Sequence, residues 1–98
     1  MSKGGRMFIN KTPGGQNNIC GVNVARLRKQ KKWSQNRLAS MLQIHGLNVD
    51  KNAIQRIEAG KRFVTDIELA YLSRVLEASL EDLLDGGALF GNTPASHP

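Results

Sequence analysis

The chain has 98 residues, a length that supports one small hydrophobic core and excludes a multidomain enzyme or a large solenoid. It carries 14 Lys+Arg against 8 Asp+Glu, a formal net charge of +6 and a pI near 10.0, which points to a polyanionic partner, nucleic acid first. The lone cysteine, Cys20, excludes an intramolecular disulfide and a paired-cysteine zinc site, and no apolar run reaches membrane-span length or resembles a secretory signal, so a soluble cytoplasmic chain without a membrane partner is expected.

Residues 1–17 combine four glycines and a proline with no helical periodicity, which predicts a flexible N-terminal arm. Residues 18–84 contain no proline and show helical apolar spacing throughout, as one domain. Val24 and Leu27 mark a first helix that carries Arg26, Arg28, Lys29, Lys31 and Lys32 and ends before Trp33. Ser34 is an N-cap for a second helix, in which Leu38, Met41 and Leu42 at i, i+3 and i+4 form a buried stripe. Residues 44–49 make a Gly-containing connection, and Asp50 caps a third helix expected to run through Ala59 and stop at Gly60. Ile54 and Ile57 face inward there, leaving Lys51, Asn52, Gln55 and Arg56 outside. Thr65 and Glu68 form a capping box for a fourth helix with Leu69, Leu72 and Leu76 behind it. Ser79 opens a short fifth helix whose Leu80, Leu83 and Leu84 are expected to close the core. Residues 85–98, with three glycines and two prolines, read as a flexible C-terminal tail.

The expectation is an all-α, five-helix fold. Two short helices joined by a tight turn, the second with a polar outer stripe, are what a helix-turn-helix reader of the DNA major groove requires. Charge is distributed to match: residues 1–62 hold 13 basic and 2 acidic side chains, residues 63–98 hold 1 and 6. A basic face and an acidic rear follow from that division. Trp33 and Tyr71 are expected at the core or its rim.

The pieces Leu27-Arg28, Ser34-Gln35-x-x-Leu38-Ala39, Ile54-x-Arg56-Ile57-Glu58-x-Gly60-Lys61-Arg62 and Ser79-Leu80-Glu81-Asp82-Leu83-Leu84 occur in order over about two-thirds of the chain. Together they resemble the lambda-repressor-like family of Cro/cI and Xre-type regulators. That resemblance implies a compact five-helix domain that binds operator DNA, usually as a homodimer, and regulates transcription, a bacterial or phage protein associated with the nucleoid when bound. It also implies roles by position. Lys51, Asn52, Gln55 and Arg56 match the base-reading positions, since Asn can engage adenine and Lys guanine. Gln35, through its side chain or its backbone amide, and Arg37, Lys61 and Arg62 match phosphate-binding positions, and Arg28 with Glu58 matches a structural ion pair between helices.

The sequence departs from the family pattern twice. The turn between helices two and three is longer by four or five residues, with Leu47 and Val49 expected to pack back on the core. Lys32 stands where relatives often have Gly, so the first helix is expected to run on or end differently there. His45 lacks a second ligand at suitable spacing, and neither a metal nor a cofactor is expected. Nothing resembles a catalytic constellation, so an enzyme is not expected. The competing function is an antitoxin or adaptor that holds a protein partner such as a toxin, through the acidic rear, and autoregulates through the same fold.

Overall fold

Each expected helix has a local cause at its start and its end, and the structure, a computed structural model, describes residues 10–85. Residues 86–98 of the expected tail and residues 1–9 of the expected arm lie outside the described residues. The helices are α1 (Cys20–Gln30), α2 (Gln35–Ile44), α3 (Lys51–Glu58), α4 (Asp66–Leu76) and α5 (Leu80–Leu83), with no strand among the described residues. Ser34 accepts from the Arg37 amide and Asp50 from the Ala53 amide, so one otherwise orphaned donor at the head of α2 and of α3 is satisfied. The Thr65–Glu68 box is closed in both directions at the head of α4, and Ser79 with Asp82 repeats it on α5.

The helix ends are as regular as the starts. Past α1 to α4 the chain enters the left-handed region at Lys32, Gly46, Gly60 and Glu77. The two amides that follow each end turn back on the last carbonyls: Lys32 and Trp33 donate to Lys29 and Arg28, Gly60 and Lys61 to Ile57 and Arg56. The first helix, expected to run on or end differently at Lys32, does neither: it stops in the same conformation that a glycine would adopt (φ 61°).

Val24, Leu38, Leu42, Ile54, Ile57, Leu72 and Leu83 are essentially inaccessible to water and form one core, each burial worth roughly 1.5–3 kcal/mol. Trp33, Tyr71 and Leu47 pack on its rim, and Val49 is buried, so the long α2–α3 turn is folded back on the core. Gln43 fixes that turn by donating from Nε2 to the Val49 carbonyl. The last turn of the domain differs from expectation. Only Leu83 of α5 is buried; Leu80 and Leu84 stand 49% and 42% exposed, because a four-residue helix presents a single apolar position to the core.

Gly21 lies where α1 meets the end of α3. A Cβ there would come within 2.0 Å of the Ile57 carbonyl oxygen, so only glycine allows this approach. Asn23, on the buried side of α1, donates from Nδ2 to the Leu83 and Asp85 carbonyls and ties α1 to the end of α5.

Candidate nucleic-acid interface

The outer face of α3 follows from its register. With Ile54 and Ile57 buried, Lys51, Asn52, Gln55 and Arg56 fall on the exposed side, adjacent in pairs one turn apart. None of the four side chains has a hydrogen bond or ion pair within the described residues, while most other charged and amide side chains near α3 do. The result is a stripe of long, unpartnered polar side chains on a rigidly seated helix.

Glu58 supplies much of that rigidity. Arg28 Nε donates to its Oε2 at 2.7 Å and Nη2 to its Oε1 at 3.0 Å, and Gln35 Nε2 donates to Oε1 at 3.0 Å. Arg28 Nη1 also donates to the Trp33 carbonyl at 2.7 Å. Both charged side chains are about nine-tenths buried. One carboxylate thus joins α1, α2 and α3, and the hydrogen bond to Glu58 raises the Arg28 pKa above its ordinary value.

The residues expected at phosphate are placed in three ways. Lys61 is exposed, directly after the α3 cap, and pairs with no carboxylate among the described residues. Arg37 is exposed near the head of α2, its guanidinium 5.9 Å from the Trp33 ring centroid, with Lys31 Nζ over the same ring at 5.2 Å. The side chains of Gln35 and Arg62 are both engaged within the protein. The Gln35 side chain is turned inward to Glu58, so what remains for an anion is its backbone amide in the first turn of α2, where helix geometry leaves amides without intrahelical partners. Arg62 forks onto Glu68, with Nη1 and Nη2 each 3.0 Å from a carboxylate oxygen, and donates to the Phe63 carbonyl as well. That pairing raises the Arg62 pKa and lowers that of Glu68, in both through the hydrogen bond first. Arg62 is a structural clamp between the post-α3 loop and α4.

His45 caps α2, with Nδ1 2.9 Å from the Met41 carbonyl oxygen, and no group of three or more His, Cys, Asp or Glu side chains suited to a metal ion occurs among the described residues. Burial pushes the Cys20 thiol up to about 11, which keeps it protonated and unreactive at neutral pH. No helix of the described residues is long and apolar enough to cross a membrane.

One segment that the sequence reading did not assign to the site covers the end of α3. The Asn17 amide donates to the Gly60 carbonyl at 2.7 Å and its Nδ2 to the Lys61 carbonyl at 3.0 Å. Asn18 Nδ2 donates to the carbonyls of Ile57 and Arg62, at 3.1 and 2.7 Å, while its Oδ1 accepts from the Gly21 amide. Two adjacent asparagines before a helix were the available signal, because their amides are suited to capping loose carbonyls.

A family model described as helix-turn-helix matches residues 24–83, well over half of the chain. Among solved structures, the restriction-modification controller protein C.AhdI from Aeromonas hydrophila is similar at 25% identity and a TM-score of 0.57, over 65% of this chain and 86% of that one. A hypothetical transcription factor, NHTF from Neisseria, is similar in fold at a TM-score of 0.61 and 18% identity, over 80% of this chain and 86% of that one. A comparison with curated proteins returns no match.

Proposed function

The chain belongs to the Cro/C1-type helix-turn-helix family of DNA-binding transcription regulators, and from that premise we propose that it acts as a sequence-specific repressor that binds a pseudo-palindromic operator as a homodimer. The observation that carries this reading is the unpartnered polar stripe on α3, held over a buried Ile54–Ile57 edge. Side chains with no internal partner keep their hydrogen-bonding capacity for base edges. In this reading α3 enters the major groove, Lys51, Asn52 and Gln55 read bases, and Arg56 reaches bases or the groove edge. Phosphates on either side are gripped by the Gln35 amide with Arg37 at the head of α2 and by Lys61 after α3. The likeness to a restriction-modification controller protein supports a regulatory role.

Selection of bound duplexes from a random pool tests the proposal. Two inverted half-sites about one helical turn apart are expected, because a two-fold dimer places its two reading helices in successive major grooves. Recovery of a single asymmetric site, or of no consensus, would overturn it.

A further inference from the structure

The C-terminal end of a helix is a poor place to meet DNA. It carries the negative end of the helix dipole, and its last carbonyl oxygens repel phosphate. At the α3 end and in the loop behind it, the carbonyls of Ile57, Gly60, Lys61 and Arg62 all accept hydrogen bonds from Asn17 or Asn18. The segment that delivers these donors is itself shaped by a turn. Thr12 donates from its amide to the Gln16 carbonyl, Gly15 donates to the Thr12 carbonyl, and the Thr12 hydroxyl oxygen accepts from the Gln16 amide. Gln16 lies against Gly60, with its Cγ 3.0 Å from where a Cβ would stand, so the strap rests directly on the α3 cap.

A cation sits on top of this arrangement. Lys11 Nζ donates to Asn17 Oδ1 at 2.6 Å, the same amide whose Nδ2 holds the Lys61 carbonyl. An ammonium has three donors, so two remain to face outward. Lys11 is exposed, and neither it nor Arg56 or Lys61 pairs with a carboxylate among the described residues. Asn17 also shares a shallow cleft of about 470 Å³ with Arg56, Lys61 and Phe63. Glu68 touches that cleft, but its carboxylate is taken up by Arg62. The strap therefore continues the surface of the reading helix and its following loop.

We propose that residues 10–18 are a DNA-backbone-binding element, in which Asn17 and Asn18 neutralise the α3 end and Asn17 presents Lys11 to a phosphate beside the one gripped by Lys61. The inference rests on the DNA-binding reading above and names a part of that interface. It is tested on the full chain by measuring affinity for the selected operator and for a random duplex across salt concentrations, with wild type, Lys11→Ala, Lys11→Arg and Lys61→Ala. Removing one phosphate contact lowers the slope of log affinity against log salt by about 0.9. Lys11→Ala is expected to show that loss, to weaken both duplexes alike by about 3- to 10-fold near 0.15 M salt, and to melt as wild type does. Lys11→Arg is expected to restore the slope. If Lys61→Ala lowers the slope while Lys11→Ala leaves it unchanged, the strap inference is overturned and the regulator reading stands. Absence of salt-dependent duplex binding by wild type would remove both.

Discussion

Lys32 holds a backbone conformation for which its side chain is a liability. A left-handed φ brings Cβ close to the following carbonyl, at a cost of about 1–2 kcal/mol for an L-residue, which glycine avoids. Lys32→Gly is therefore expected to stabilise the fold by roughly 0.5–1 kcal/mol, the gain being trimmed by the freedom glycine adds to the unfolded chain. Chemical denaturation of the two proteins checks this, and an unchanged or lower midpoint would contradict it. The neighbouring Lys31 reaches Glu77, the other non-glycine residue in this conformation, at 2.7 Å, so the ends of α1 and α4 are joined by an exposed ion pair. Surface pairs of this kind contribute little. The α1 end thus owes its geometry to the two returning amides of Lys32 and Trp33 more than to charge.

Among elements, α1 approaches the end of α3 closely at Gly21. Gly21→Ala would drive a methyl group into the Ile57 carbonyl, and part of the repair would be a shift of α3 itself. A loss of about 3 kcal/mol is expected in thermal or urea unfolding, at the upper end of overpacking costs. A loss below about 1 kcal/mol would show that the two helices separate freely. The helices and their caps were legible in the sequence because they are local: Ser34, Asp50, Thr65 and Ser79 each act on an amide three residues away. The pairings that were not legible there are tertiary. Gln35 finds Glu58, Arg62 finds Glu68 instead of an outward position, and Asn17 and Asn18 find carbonyls about forty residues on. Such contacts leave no periodic trace. The polar stripe of α3 was readable because it needs only the helix register and two buried isoleucines.

For the molecule as a whole, charge is divided along the chain, with the basic excess in residues 1–62 and the acidic excess beyond. Arg62 and Glu68 bridge that boundary. Glu68 is held below its ordinary pKa, first by the hydrogen bond from Arg62, so the folded state binds its proton less readily than the unfolded chain does. Stability from this group is fully present above the unfolded value, near 4.3, and is lost as pH falls through the lower folded value. Urea midpoints are expected to decline across that acid interval and to decline less for Glu68→Gln; equal acid slopes in the two proteins would show that the pair does not link folding to pH.

α3 is held at its head by the Asp50 cap and at its end by Asn18, which takes the Ile57 carbonyl, and by the ion pair of Glu58 next to it. In the proposed reading, a helix secured in this way reaches DNA already folded, and the ordering cost that falls on segments that fold upon contact does not fall on it. On that proposal its selectivity among sequences would rest on the fit of a few side chains to the groove, with little latitude for the backbone to adapt to a poor site.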